Sequence, residues 1–256
     1  MIIRKSAAEI ERMARAGVVV AETLAEIGEQ VRPGVPTAEL DELAEDFIRS
    51  RGGEPTFKGY RGYPASICAS PNEVIVHGIP GPRALAEGDI LSVDVGVTLE
   101  GFVADSAWTF PVGQVSVGAE LLLSACREAL AAGIEPCRPG NRLSDISHAV
   151  QTVVEARGFS VVRALVGHGV GRTMHEDPQI PNFGAPGRGP VLQPGMVFAI
   201  EPMITAGTHE IVLDDDEWTI SAADGSLAAH FEHTVAVTDD GPRVLTLAPA
   251  GVPAHS

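Results

Sequence analysis

The sequence predicts an α+β domain in which one helix-and-strand unit occurs twice. Stretches with helical hydrophobic periodicity alternate with short apolar and β-branched runs that are typical of strands. No Ser- or Pro-rich linker divides the 256 residues, so we expect one domain over 1–256. A short internal repeat is the third observation, and it indicates the duplication.

The internal repeat consists of two strands that each end in an acid. The segments EGDILSVD (87–94) and PGMVFAIE (194–201) both run from a turn and a glycine through an apolar strand to a carboxylate. A Pro-Gly pair precedes each segment. Matches this short also arise by coincidence. If the repeat is a duplication, the equivalent acids Asp94 and Glu201 meet near a pseudo-twofold axis.

Composition indicates a soluble globular protein. Hydrophobic residues make up 45% and charged residues 20% of the chain, which is ordinary for folded domains. No apolar run approaches the roughly 20 residues of a membrane span, and the N-terminal MIIRKSAAEIERM lacks the apolar core of a secretory signal. We therefore expect a cytoplasmic protein whose three cysteines (Cys68, Cys126 and Cys137) are reduced.

The formal net charge of −16 restricts the partners of this protein. Nucleic acids and anionic membranes both bind basic patches, so we expect neither as a main ligand. An acidic surface instead tolerates cationic ligands and repels copies of itself. We expect a monomer.

Capping signals and hydrophobic periodicity predict four helices. Ser6 and Glu9 form a capping box ahead of an apolar stripe over 10–27. Thr37 is the expected N-cap of a second helix that ends at Ser50, before two glycines. The remaining helices are predicted over 119–132 and 144–157.

Eight further runs of apolar or alternating residues predict strands. They cover 66–69, 73–77, 161–166, 196–201, 211–213, 218–222, 228–237 and 243–247. The pair Asp224-Gly225 predicts a hairpin turn. The tail 248–256 is expected to fray.

The segment 90–110 predicts a β-hairpin that carries two acids on one face, because cross-strand neighbours point the same way. If Leu99-Glu100 is the loop, Asp94 and Asp105 lie opposite each other, about 5 Å apart; if Glu100-Gly101 is the loop, they are diagonal neighbours about 7 Å apart. Buried carboxylates at either distance repel and require a shared proton or a cation. A solvated edge would explain one aspartate, whereas two among Val, Phe and Trp favour a functional site.

Five more polar residues at strand ends and in loops are candidates for that site: His77, His168, His175, Glu201 and Glu232. His168 and His175 lie in the glycine-rich LVGHGVGRTMHEDP, where glycines permit tight folding. His230 shares a face with Glu232, which leaves a second ligand open there. Each residue alone is more often structural than catalytic, but together they favour a site.

A divalent metal centre would account for these acids. If Asp94, Asp105, His168, Glu201 and Glu232 converge, four carboxylates and one imidazole suit Mn, Fe, Co or Zn. Their formal charge exceeds what one divalent ion balances, whereas two ions bridged by carboxylates and a water would balance it. The sequence therefore predicts two divalent metal ions.

Five segments carry a resemblance that covers nearly the whole chain. They are SICASPNEVIVHGIP (66–80), ILSVDVGVTLEGFVADSAWTF (90–110), GHGVGRTMHEDPQIPNFG (167–184), LQPGMVFAIEPM (192–203) and WTISAADGSLAAHFEHTVAVT (218–238). In these segments the chain resembles the type I methionine aminopeptidases. The resemblance implies an α+β pita-bread fold with a pseudo-twofold duplicated unit, in which helices cover the outer face of a curved antiparallel sheet.

The resemblance also implies which residues hold the metal. Asp94 would chelate one ion, while Asp105 and Glu232 would bridge both. His168 and Glu201 would complete the other site.

Three residues would act on the substrate if the resemblance holds. Glu201 would be the general base for the metal-activated water. His175 would hydrogen-bond the substrate and stabilise the tetrahedral intermediate. His77 would contact the scissile amide or assist proton transfer to the leaving amine.

An apolar methionine pocket is implied by the same resemblance. Its positions map to Phe57, Tyr60, Tyr63, Cys68, Met174 and Trp218. Phe57 stands where many members have Cys, and Met174 where many have Phe. Both remain apolar, so these departures concern the shape of the pocket more than activity.

The implied function is metal-dependent removal of the initiator methionine from nascent polypeptides with a small second residue, near the ribosome. A prolidase or aminopeptidase P would share the fold and ligands. Those enzymes usually carry an added N-terminal domain, for which we expect no room in 256 residues. A non-catalytic binding module on this fold tends to lose metal ligands, and a plain structural domain would leave the ligand spacing unexplained.

Overall fold

Two helix pairs, each followed by strands, make up the part of the chain that the computed structural model describes, residues 1–248. The predicted fraying of the tail therefore falls almost entirely outside the described residues. The helices are α1 (Ala7–Gln30), α2 (Thr37–Ser50), α3 (Val117–Ile134) and α4 (Leu143–Ala156). No helix of residues 1–248 has both the length and the apolar composition that crossing a membrane requires.

The helix starts test the capping signals. Ser6 and Glu9 form the predicted capping box of α1, each side chain accepting a hydrogen bond from the other residue's backbone N–H. Thr37 is not the N-cap of α2, as predicted, but its first helical residue, after Pro36. Its hydroxyl instead exchanges hydrogen bonds with the backbone of Gly81.

Fifteen strands form four antiparallel sheets within the described residues. A four-stranded sheet contains β1 (Glu54–Pro55), β2 (Cys68–Pro71), β4 (Ile90–Leu99) and β5 (Phe102–Pro111). A five-stranded sheet contains β7 (Val166–Gly169), β8 (Glu176–Pro181), β9 (Val197–Ile200), β14 (His233–Thr238) and β15 (Gly241–Val244). The three-stranded sheets contain β3 (Val74–Val76), β11 (Ile211–Leu213) and β12 (Ile220–Ala222), and β6 (Ser160–Val161), β10 (Met203–Thr205) and β13 (Ala228–His230).

Three strand predictions need correction. The run 228–237 is two strands, because the chain leaves one sheet after β13 and enters another at β14. The run 161–166 is likewise divided between β6 and β7. Asp224-Gly225 forms a turn but no hairpin, since β12 and β13 on either side of it pair with other strands.

The two halves of the chain repeat the same backbone links. The loop before the second helix of each pair is tied to the segment before the main strand, by hydrogen bonds from Gly34 N to the Leu85 carbonyl and from Gly140 N to the Leu192 carbonyl. The repeat's glycines, 88 and 195, have φ angles of 90° and 92° just before β4 and β9. The structure thus confirms the α+β class and shows the two copies of the unit.

The hydrophobic core places one face of the hairpin against helices and leaves the other for polar groups. Val93, Val95 and Val97 are fully buried in a cluster with side chains of α1 and α2. A second cluster joins α3 and α4 to β9 and β14. Asp94 alternates with the valines and therefore points to the opposite face of the sheet.

Candidate active site

The hairpin register brings Asp94 and Asp105 to one face as diagonal neighbours. Asp105 pairs with Gly96, and Asp94 pairs with Ala107. This is the register of the Glu100-Gly101 loop. Both loop residues have positive φ, 50° and 76°, which matches the twist that two-residue hairpins require. The turn conformation therefore decides between the two registers that the sequence leaves open.

His168 lies between acids from different strands. Its Nε2 is 3.7 Å from Asp105 Oδ2 and 3.5 Å from Glu201 Oε1. Its Nδ1 lies 2.9 Å from the Gly169 carbonyl oxygen, to which it donates a hydrogen bond. That bond places the proton on Nδ1, so the lone pair of Nε2 faces the carboxylates as a ligand would.

Glu232 reaches the same place because the chain breaks its strand pairing there. Glu232 N donates to the Ala107 carbonyl, and the Ser106 hydroxyl donates to the Glu232 carbonyl. His230, which the sequence left open, also lies in the site, with Nε2 3.7 Å from Glu201 Oε2 and 3.8 Å from Glu232 Oε2.

The residues form two overlapping ligand groups. One contains Asp105, His168 and Glu232, and the other contains Glu201, His230 and Glu232; in each, one donor atom per residue lies within 4.8 Å of the others. Glu232 belongs to both groups. Asp94 lies beside them as the diagonal neighbour of Asp105.

Four polar side-chain atoms of this cluster are buried without a hydrogen-bond partner in residues 1–248: Asp94 Oδ1, Asp105 Oδ1, His230 Nε2 and Glu232 Oε1. A buried polar atom left unpaired costs about 1–3 kcal/mol, and more when it is charged. All four atoms are acceptors or ligands when they carry no proton. The donor set therefore fits bound divalent cations.

Burial controls the proton affinity of the acids. It raises the pKa of Asp94 to about 7. Burial, followed by neighbouring carboxylates, holds the pKa values of Asp105, Glu201 and Glu232 well above their usual range. Carboxylates this close together cannot all ionise near neutral pH unless a cation balances them.

Burial has the opposite effect on the histidines. It lowers the pKa of His168 to about 4, with His175 adding to the effect, and that of His230 to about 3, with His77 adding to it. Both imidazoles are therefore neutral at pH 7. Neutral imidazole is the form that binds metal.

A cavity of about 270 Å³ opens above the acids, and all thirteen residues predicted for the site line it. Sequence reasoning missed six further lining residues: Arg61, Val76, Ala164, Leu165, Val166 and Met203. Strand alternation could have identified Val166 and Met203, which lie two residues from His168 and Glu201. For Arg61 the only signal was its position beside Tyr60.

Aromatic side chains position two histidines on the cavity wall. The Tyr60 hydroxyl lies 2.9 Å from His175 Nδ1, and the two rings stack with centroids 5.5 Å apart. The Tyr63 hydroxyl donates to the carbonyl of Gly78, beside His77. Burial lowers the pKa values of His77 and of His175, at the mouth of the cavity. Both rings are therefore neutral near pH 7.

The chain is similar to known metallopeptidases. The sequence matches metallopeptidase family M24 over residues 11–239. It is 52% identical to methionine aminopeptidase 1 of Bacillus subtilis over 96% of this chain and 99% of that protein. It is also 53% identical to methionine aminopeptidase 1 of Mycobacterium tuberculosis, over 96% of each.

Solved structures give the same result. The methionine aminopeptidase of Rickettsia prowazekii superposes with a TM-score of 0.95 at 42% identity, over 96% of this chain and 100% of that one. The Pyrococcus furiosus prolidase, with a TM-score of 0.77 and 21% identity, covers 96% of this chain and 66% of its own, and shares the pita-bread fold alone. The chain therefore belongs to the methionine aminopeptidases of metallopeptidase family M24.

Proposed function

We propose that this protein removes N-terminal methionine from polypeptides whose second residue is small, in a metal-dependent hydrolysis. The observation that carries the proposal is the buried cluster of four carboxylates and two imidazoles at the base of one cavity. Unpaired buried donor atoms suit cations there. High identity to proteins named methionine aminopeptidase supports the choice of substrate.

Five residues would hold the cations: Asp94, Asp105, His168, Glu201 and Glu232. Two ions fit better than one, because four carboxylates carry more charge than a single divalent ion balances and Glu232 belongs to both ligand groups. Co, Mn, Fe and Zn all suit this mixture of oxygen and nitrogen donors. Bound cations would lower the pKa of a coordinated water and polarise the scissile carbonyl.

Glu201 is the proposed general base. Its carboxylate is largely buried and belongs to one of the ligand groups, where it can take a proton from a water held beside the cations. Its oxygens face His168 on one side and His230 on the other. A proton taken from the attacking water would reside on this carboxylate until it passes to the leaving amine.

His175 and His77 are the proposed contacts to the peptide. When the Tyr60 hydroxyl donates to His175 Nδ1, the proton of that imidazole lies on Nε2 and is free for the substrate. His175 would thus stabilise the oxyanion of the tetrahedral intermediate as a neutral donor. His77 would contact the scissile amide or assist protonation of the amine that leaves.

The methionine side chain would occupy the apolar wall. Phe57, Tyr63, Cys68 and Met174 are buried there, and Trp218 packs edge-on against Tyr63 with ring centroids 5.1 Å apart. Burial raises the pKa of the Cys68 thiol, so this wall stays uncharged. An apolar, polarisable surface is the environment that a thioether favours.

The carboxylates at the floor of the cavity would explain why the enzyme acts only on the N-terminal residue of a peptide. A free α-amine is cationic or a ligand, whereas an internal amide is neither. The net charge of −16 further favours a cationic end. The proposed partners are therefore the N-termini of nascent polypeptides near the ribosome. We propose that the protein acts there as a monomer in the cytoplasm.

The test is a peptide assay with protein that has been stripped of metal and reloaded with Mn, Fe, Co or Zn. We expect release of methionine from Met-Ala-Ser, little release from Met-Leu-Ser and no hydrolysis of Ala-Pro. Asp94→Asn should lower kcat/KM by at least about 100-fold, since metal sites are that sensitive even to changes around their ligands. The exposed Asp215→Asn is the matched control. Near-full activity of Asp94→Asn, or a preference for Ala-Pro, would contradict the proposal.

A further inference from the structure

One cationic side chain, Arg61, lies at the rim of the cavity, whose floor carries the carboxylates. Among the described residues that line this cavity, Arg61 is the only Lys or Arg. It is exposed, and the ion pairs found within residues 1–248 do not include it. Its charge is therefore available to a ligand that enters the cavity.

The backbone holds Arg61 in a fixed position at this rim. Arg61 has a φ of 50°, and Gly59 and Gly62 on either side have φ angles of 82° and 93°. Hydrogen bonds from Gly59 N to the Tyr63 carbonyl and from Tyr63 N to the Tyr60 carbonyl close the turn. A non-glycine residue in the left-handed region is uncommon, and strained backbone of this kind clusters at active sites and ligand-binding sites.

Arg61 continues a row of side chains that starts at the proposed catalytic groups. Its guanidinium carbon lies 5.4 Å from the centre of the Tyr60 ring. Tyr60 in turn is hydrogen-bonded to His175 and stacks on its ring. The ring centroid of His175 lies 4.3 Å from that of His168. In the proposed function the α-amine lies at the acidic floor of the cavity and the first amide at His175, so the rest of the peptide would extend along this row toward Arg61.

We propose that Arg61 binds a carboxylate of the substrate beyond its second residue and so favours peptides with an acidic third residue. The inference rests on the proposed function, because that function sets the direction of the peptide. Guanidinium groups pair with carboxylates through two parallel hydrogen bonds. In a protein of net charge −16, such a cation offsets the repulsion that an acidic peptide otherwise meets.

The carboxylate has two possible sources, which peptide design separates. The first is the side chain of the third residue, and the second is the C-terminus of a short peptide. C-terminally amidated Met-Ala-Glu-Ser, Met-Ala-Gln-Ser and Met-Ala-Lys-Ser test the first source. Met-Ala-Ser and its amide test the second.

The measurement is kcat/KM of metal-loaded protein for each peptide at low salt. An exposed ion pair corresponds to about a 1.5- to 5-fold effect, so we expect a Glu-to-Gln ratio of about 3, falling as salt is added. In Arg61→Gln the ratio should fall to 1 or below. Arg61→Glu should reverse the preference toward the Lys peptide, and Arg61→Lys should retain part of it. A source at the C-terminus would instead appear as a difference between Met-Ala-Ser and its amide that Arg61→Gln removes.

Arg157→Gln is the matched control, since Arg157 is exposed, pairs with Glu128 and does not line the cavity. Its ratios should equal those of the unmodified protein. Equal ratios in Arg61→Gln and the unmodified protein for both carboxylate sources would overturn the inference while leaving the proposed function intact. Failure to release methionine from every peptide would overturn the proposed function, and the inference with it.

Discussion

The buried acids should make the stability of the metal-free protein depend strongly on pH. Burial raises the pKa of Asp94 to about 7, and burial and neighbouring carboxylates hold the pKa values of Asp105, Glu201 and Glu232 well above their usual range. In the unfolded chain these carboxyls ionise near pH 4. Between those limits the folded, metal-free protein binds more protons than the unfolded chain does.

The first prediction follows from this difference. The free energy of unfolding of metal-free protein should fall as the pH rises from 6.5 to 8.5, by up to about 1.4 kcal/mol per pH unit for each carboxyl that still holds its proton. Below pH 6.5 the lowered pKa values of His168 and His230 oppose the trend, because unfolding then binds protons. Urea denaturation in a chelating buffer measures it. A stability that rises from pH 6.5 to 8.5 would contradict the prediction.

Local sequence pattern located most of these residues, but not their register. Alternation placed Asp94 and Asp105 on one face, because side-chain direction along a strand depends only on position. The register depended on a turn with Glu100 at positive φ, a conformation that glutamate rarely adopts. For Arg61 the sequence offered only its position beside Tyr60, since its importance depends on which cavity the chain folds around.

Among the elements, the loop between β7 and β8 links the two histidines of the site, His168 and His175. Glu176 closes this loop by accepting hydrogen bonds from the backbone N–H groups of Arg172, at 2.8 Å, and Thr173, at 3.4 Å. Its other oxygen lies 2.7 Å from Lys5 Nζ, and both side chains of this ion pair are buried. The segment before α1 therefore holds the loop in place.

A second prediction concerns this buried ion pair. Lys5→Met should lower the free energy of unfolding by about 3–5 kcal/mol, because it leaves the buried Glu176 carboxylate without a counter-charge. Lys5→Arg should recover part of the loss. Arg15→Met is the control: Arg15 pairs with Glu100 on the surface, and such pairs contribute about 1 kcal/mol or less. Equal losses in the Lys5 and Arg15 variants, measured by urea denaturation, would show that burial adds nothing to this pair.

Elements differ in how far sequence predicts them. The helices were predicted closely because caps and periodicity are local. The break between β13 and β14 was missed because Phe231 and Glu232, which separate them, are neither Gly nor Pro. The prediction of a hairpin at Asp224-Gly225 was wrong because a turn does not determine whether the strands on either side of it pair with each other.

At the scale of the whole molecule, the proposed ligands come from both halves of the chain. Asp94 and Asp105 lie in the first half, on β4 and β5, while His168, Glu201 and Glu232 lie in the second. A bound cation would therefore connect the halves. The expectation of a single domain, which the absence of a linker suggested, remains a prediction.

The third prediction is that divalent cations stabilise the whole fold. Adding Mn or Co to stripped protein should raise the midpoint of thermal unfolding, since a ligand at 100 times its Kd adds about 2.7 kcal/mol. Glu232→Gln should raise the stability of metal-free protein at pH 8, because it removes a buried carboxyl that must there either hold a proton or repel its neighbours, and should lose most of the increase with metal. Calorimetry with and without a chelator measures both effects. The exposed Glu217→Gln should change neither, and a full metal response in Glu232→Gln would contradict the shared role.

The repeated unit also bears on ancestry. A precursor with one copy could have surrounded such a centre only by associating with a twin about the symmetry axis, so every donor would have appeared twice. Within one polypeptide, neither copy is held to that constraint. The two copies now contribute different ligands. Both imidazoles at the floor of the cavity, His168 and His230, belong to the second copy, while the first copy contributes only aspartates there.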